Sequence, residues 1–318
     1  MKPLRIVFFG TPEFAKHALE SIHQSLHEIV GVVTSTDKLA GRGQKIKYSA
    51  VKQYALEENL PLFQPEKLRD PEFLEKMKNL KADVFVVVAF RMMPKILFEI
   101  PPMGTFNLHA SLLPDYRGAA PINYAIMNGE TLTGVTTFFI NEKIDEGKIL
   151  LQNQVEITPE DTAGTLHDKL MVTGADTIIE TLDGLSLDNL QPKEQKSTIE
   201  EKTAYKIFKD DMRIDFNQSS KKVYDFVRGL SPYPSSFTEI EISGEIKSFK
   251  IFEGRYEESL IKSEPGTIEA DKNALRFSCK DGYYYPLSVQ LEGKKRMPVK
   301  DFLNGIRNLD EIKTAPNQ

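Results

Sequence analysis

Thr105-Phe106-Asn107-Leu108-His109-Ala110-Ser111-Leu112-Leu113-Pro114 decides how this chain reads. Phe106 and Leu108 are apolar, while Asn107 and His109 are polar. Side chains on a strand alternate between its two faces, so this period of two puts the amide and the imidazole on one face. Residues 111–114 leave the strand, and Asp115-Tyr116-Arg117-Gly118-Ala119-Ala120-Pro121 follows as a loop. The C-terminal end of a strand is where open α/β sheets take their ligands. An amide there can donate to a developing oxyanion, and an imidazole can move a proton near neutral pH. Taken alone, the pair fits an edge strand with two solvated polar residues equally well.

Working outward, residues 4–9 read as a buried strand broken by Gly10. Thr11-Pro12-Glu13 then opens a helix, with Thr11 as cap and Pro12 as its first residue. Residues 29–33 form a second strand, which makes a βαβ unit and a parallel sheet. A dinucleotide fingerprint needs three glycines in this turn, and only Gly10 is present. Helices are expected over 49–58, 70–79 and 121–128, and a long one over 162–182 stopped by Gly184. Residues 83–90 are apolar on both faces and read as the central strand. Strands are expected at 134–140 and 149–157, antiparallel to each other across the turn that holds Asp145.

Residues 191–206 lack apolar periodicity and read as a linker between a catalytic domain, 1–190, and a second domain, 207–318. Beyond it a helix over 219–228 precedes five short strands punctuated by Gly and Pro, which suggests a small barrel. The fold class is therefore α/β: a Rossmann-like, mostly parallel sheet followed by a small OB-like β-barrel.

At 318 residues the length suits about two domains. Cys279 is the sole cysteine, so neither an intramolecular disulfide nor a cysteine-based metal site can form, and no metal is expected. No signal region follows Met1-Lys2-Pro3-Leu4-Arg5 and no apolar run is long enough to span a membrane, so a cytoplasmic location is expected. A net charge of −5 excludes a global basic field, which leaves local patches for any nucleic acid. The 207–318 stretch is electrically balanced, with 18 Lys+Arg and 18 Asp+Glu by count. Residues 36–47 hold Lys38, Arg42, Lys45 and Lys47 with Gly41 and Gly43, a cationic loop. Such a loop is a solvated connector or an arm that reaches a phosphate-rich partner.

Phe9-Gly10-Thr11-Pro12-Glu13-Phe14-Ala15, Ala40-Gly41-Arg42-Gly43, Asn107-Leu108-His109, Ser111-Leu112-Leu113-Pro114, Tyr116-Arg117-Gly118-Ala119-Ala120-Pro121-Ile122 and Asp145 occur in this order. The set resembles the folate-dependent formyltransferases. The cationic loop, together with Arg228-Gly229-Leu230-Ser231-Pro232-Tyr233-Pro234 and Gln290-Leu291-Glu292-Gly293-Lys294-Lys295-Arg296-Met297, narrows the resemblance to the methionyl-tRNA formyltransferases over nearly the whole chain. That resemblance implies 10-formyltetrahydrofolate as formyl donor and the methionyl initiator tRNA as acceptor, with the enzyme acting as a monomer. It implies Asn107 as oxyanion donor, His109 as proton shuttle and Asp145 as the group that orients His109. Folate is expected against Ser111, Leu112, Leu113, Pro114, Phe90 and Arg91, and tRNA against Lys38, Arg42, Lys45, Lys294, Lys295 and Arg296. Two departures stand out: Phe90-Arg91 replaces the family's usual Tyr-Gly, and Ala50 replaces a second proline after the cationic loop. The rivals are a formyltransferase acting on a ribonucleotide or an amino sugar, a hydrolase releasing the formyl group to water, and a non-catalytic RNA-binding protein. The ribonucleotide enzymes lack a domain like 207–318, and the last reading leaves Asn107, His109 and Asp145 unexplained.

Overall fold

The computed structural model describes residues 1–40, 45–196, 202–260 and 263–314. They group into two compact units. The first comprises residues 1–118, 132–156 and 167–203, and the second 119–131, 157–166 and 204–318. The stretch read as a linker is therefore grouped mostly with the first unit.

The first unit is built on a seven-stranded sheet in the order Ile149–Glu156, Leu132–Phe139, Thr105–His109, Val84–Val88, Arg5–Gly10, Glu28–Val33, Leu62–Phe63. Val84–Val88 is the middle strand and buried throughout, as its unbroken valine-rich run requires. The five strands from Thr105–His109 to Leu62–Phe63 are mutually parallel. Leu132–Phe139 runs antiparallel to Thr105–His109, and Ile149–Glu156 antiparallel to Leu132–Phe139. From Arg5–Gly10 the chain moves outward to one side, then returns to add Val84–Val88 and Thr105–His109 on the other. The sheet thus has a switch point between Arg5–Gly10 and Val84–Val88, where Gly10 pairs with Val88.

Two helices expected from sequence begin at side-chain caps: Ser49 accepts from Lys52 N, and Asp70 accepts from Phe73 N. The first helix differs. Glu13–His23 has Pro12 itself as N-cap with no side-chain cap, because the proline ring carries no acceptor; the Pro12 carbonyl takes the amides of Ala15 and Lys16 at 3.0 Å. The long helix Ala163–Ser186 runs through Gly184 instead of stopping there. The Leu190 side chain lies where a Cβ on residue 184 would point, so this glycine makes room for packing. Residues 36–47 also differ from a plain loop, since Lys38–Ala40 pairs antiparallel with Lys45–Lys47.

The second unit is a nearly closed antiparallel barrel in the order Ile268–Ala270, Leu275–Ser278, Gly282–Leu291, Glu245–Glu258, Ser236–Ile242, Ile312–Thr314. Thr314 Oγ1 donates to Gly266 O near the open seam. Phe249, Ile251, Phe277, Tyr284 and Val289 fill the barrel, and the helix Ser220–Gly229 covers it through Val223 and Val227. Cys279 sits in this core, where burial pushes its thiol up to about 12.

Candidate active site

Leu108 packs against Gly174 of the long helix, where a Cβ would stand 2.7 Å from Leu108 Cδ2. Asn107 and His109, offset by one residue, therefore share the opposite face. Asn107 is half-buried, and its side-chain amide makes no hydrogen bond among the described residues. His109 is buried, and its Nε2 donates to Tyr116 O at 2.8 Å. A carbonyl can only accept, so the ring proton is fixed at Nε2 and the neutral ring keeps its lone pair at Nδ1. Nδ1 stands 3.9 Å from Asp145 Oδ2. That spacing is an ion-pair distance, longer than a hydrogen bond. The Tyr116 carbonyl sets the ring's orientation, while Asp145 faces the nitrogen left open.

Asp145 reaches this position by a strained route. Its φ is 54°, in the left-handed region that costs a residue with a Cβ about 1–2 kcal/mol. Oδ2 is held by Gly118 N at 3.0 Å. Two residues on, a Cβ at Gly147 would stand 1.6 Å from Phe139 O, so only glycine fits the turn. The turn that opens the site also places Tyr116 at φ 61°.

The 111–114 turn is held from behind. Ser111 is buried and its hydroxyl donates to Asp115 O at 2.6 Å. Thr136 Oγ1 donates to Ser111 O at 2.6 Å and accepts from Leu113 N at 3.1 Å. Gln152 Nε2 donates to Leu113 O and to Thr136 Oγ1, both at 3.0 Å. Leu112 packs over Gly134, and Leu113 is buried. Phe90 packs edge-on against Phe9, with ring centroids 5.7 Å apart. Arg91 donates to Glu66 O at 2.8 Å and to Pro65 O at 2.5 Å. Its guanidinium thus fastens the loop after the central strand to the loop after Leu62–Phe63.

Of the residues expected to meet tRNA, Arg42 lies outside the described residues, and Lys38 and Lys45 fall on the short antiparallel pair. The base of that pair is anchored. Lys52 binds Asp37 Oδ2 at 2.6 Å and Gln64 donates to Oδ1 at 2.9 Å, which together hold the Asp37 carboxyl below the usual range. In the second unit Lys294 and Lys295 are exposed at a turn whose Gly293 has φ 75°. Arg296 is engaged: it donates to Ser288 Oγ at 2.7 Å, pairs with Glu253 and lies 4.4 Å from the Phe252 ring centroid.

Thr136, Gln152 and Gln195 carried no sequence signal. Gln195 Nε2 donates to Asp145 O at 2.7 Å and Gly147 O at 2.8 Å. Thr136 is masked by an apolar strand, and Gln195 by a stretch without periodicity. Among the described residues no group of three or more His, Cys, Asp or Glu is placed to hold a metal ion, and no helix is long and apolar enough to cross a membrane.

Residues 4–182 match the family described as formyl transferase, and residues 206–307 match the formyl transferase C-terminal domain. The chain is 50% identical to the methionyl-tRNA formyltransferase of Flavobacterium johnsoniae, over 98% of this chain and 99% of that one. It is 48% identical to the methionyl-tRNA formyltransferase of Bacteroides thetaiotaomicron, over 98% of each chain. Among solved structures it resembles the N-formyltransferase of Helicobacter canadensis in complex with folinic acid and dTDP-3-aminofucose. The TM-score is 0.67 at 20% identity, covering 92% of this chain and 100% of that one, which is a likeness of fold.

Proposed function

The chain belongs to the formyl transferase family, and on that footing we propose that it transfers the formyl group of 10-formyltetrahydrofolate to the α-amino group of methionine on initiator tRNA. The observation that carries this reading is near-half identity to methionyl-tRNA formyltransferases over almost the full length of both chains. The site chemistry agrees with it. The amine attacks the formyl carbon, a C–N bond forms, and the carbonyl π electrons move onto oxygen. The Asn107 amide, which has no partner among the described residues, donates to that oxyanion. His109 takes the proton of the attacking nitrogen at Nδ1, the nitrogen not engaged with Tyr116, and returns it to the folate nitrogen as that C–N bond breaks. The Asp145 carboxylate beside Nδ1 balances the imidazolium between the two transfers. The products are formylmethionyl-tRNA and tetrahydrofolate.

The 111–114 turn and Phe90 wall the folate site, stiffened by Thr136, Gln152 and Arg91. Residues 1–190 carry the chemistry, while residues 207–318 and the cationic 36–47 segment hold the tRNA. The enzyme works as a monomer in the cytoplasm. An amino-sugar acceptor is the second reading, favoured by the shared fold with a sugar-nucleotide enzyme, but that likeness is at 20% identity.

The test is a competition assay with 10-formyltetrahydrofolate, offering charged initiator tRNA, glycinamide ribonucleotide, an amino-sugar nucleotide and water. Formyl transfer to the tRNA should dominate. Faster delivery to any other acceptor overturns the proposal.

A further inference from the structure

In residues 191–196 only Gln195 is not exposed. Lys193 exchanges backbone hydrogen bonds of 2.8 and 2.9 Å with Ile149, which lays this segment beside the end of an edge strand. Two residues further on, the Gln195 side chain uses both of its polar atoms. Oε1 accepts from Arg117 Nε at 3.1 Å and from its terminal nitrogen at 2.6 Å. Nε2 donates to Asp145 O and Gly147 O at 2.7 and 2.8 Å. One amide therefore joins the two loops that make the site. The 116–118 loop supplies the carbonyl that orients His109 and the amide that holds the Asp145 carboxylate. The 145–147 loop supplies Asp145 itself in a left-handed conformation that its own sequence does not favour.

We infer that Gln195 is a positioning residue: it clamps the backbone of residues 145–147 to Arg117 and so holds the Asp145 carboxylate against Gly118 and beside His109. It touches no reacting atom and acts through Asp145. The neighbouring Lys148–Glu194 pair at 3.1 Å cannot serve instead, because both side chains are exposed and such a pair holds little. The inference rests on the reading that Asp145 serves formyl transfer.

The test is a double-mutant cycle in the full chain, read as kcat and KM for formylation of charged initiator tRNA. Gln195→Glu keeps an acceptor for Arg117 but has no donor for the two carbonyls. Gln195→Met keeps the length and loses both functions. Each should lower kcat about tenfold, the scale of a lost hydrogen bond, with KM for both substrates within about twofold. The glutamate should rescue nothing relative to the methionine, because the donations to Asp145 and Gly147 are what matter. In an Asp145→Asn background, Gln195→Met should cause no further loss. If Asp145→Asn alone leaves kcat unchanged, the functional reading of the site fails. If Asp145→Asn lowers kcat but the Gln195 variants match wild type, or their full loss recurs beside Asp145→Asn, this inference alone is overturned.

Discussion

At the scale of single residues the site divides labour between two nitrogens of one ring. The Tyr116 carbonyl fixes the His109 proton at Nε2, and in the mechanism proposed above Nδ1 takes up and returns a proton beside Asp145. His109→Ala should lower kcat roughly 100-fold or more, the scale of a lost general acid–base group. It should also strip a partner from the Tyr116 carbonyl in a buried site, costing about 1–3 kcal/mol of stability. Urea unfolding measured beside the kinetics separates the two losses. Asn107→Ala should lower kcat by a similar factor, as removed oxyanion donors do. Asn107 is half-buried and its side chain bonds to nothing among the described residues, so this variant should barely change stability or folate affinity. Near wild-type turnover in either variant would remove that residue from its role.

At the scale of elements, the pieces legible in sequence were those whose signal is local. The alternation across residues 105–109, the helices that begin near 49 and 70 and the unbroken apolar run at 84–88 each depend on side chains close in the chain. Thr11 and Gly184 misled although their surroundings are local: Pro12 itself takes the N-cap position, and the Leu190 side chain lies against the helix where it was expected to stop. Gln195 was invisible because its partners lie about fifty and eighty residues upstream. The turn that holds Asp145 was read from sequence, and the structure adds why Gly147 is obligatory in it. Gly147→Ala should force the Asp145 turn away from Phe139, costing about 1–3 kcal/mol as overpacked sites do, with kcat falling alongside. Wild-type kcat at wild-type stability would show that the turn relaxes freely. The cationic 36–47 element makes a kinetic prediction. Arg42→Ala should lower kcat/KM for tRNA strongly by losing placement of the amine, and Arg42→Lys should rescue little if a planar fork is required. Unchanged kinetics in the alanine variant would return the segment to a solvated connector.

For the whole molecule, the order of the strands is read from the structure alone, while the parallel sheet with its central strand and the barrel beyond residue 207 followed from the βαβ spacing and the rhythm of short strands. The grouping of residues 119–131 and 157–166 with the second unit did not, because contacts across a hundred residues leave no local trace. The same limit applied to the basic run at 294–296, which the sequence presents as three equivalent cations. The structure separates them. Lys294 and Lys295 are exposed at a turn, while Arg296 is tied to Ser288 and Glu253 and lies over Phe252. A cation must be available to displace counterions from a phosphate, and each phosphate neutralised contributes roughly 0.7–0.9 to the slope of log affinity against log salt. Lys294→Ala and Lys295→Ala should each flatten that slope by about this amount for initiator tRNA and leave stability unchanged. Arg296→Ala should leave the slope nearly untouched and cost about 1 kcal/mol of stability, the sum of a weak exposed ion pair and a cation–π contact. Filter binding across a salt series, paired with thermal unfolding of the same variants, reads both quantities. A slope that falls with Arg296 and holds with the two lysines would mean that the barrel meets RNA through the arginine, and that its pairing with Glu253 gives way when the tRNA arrives.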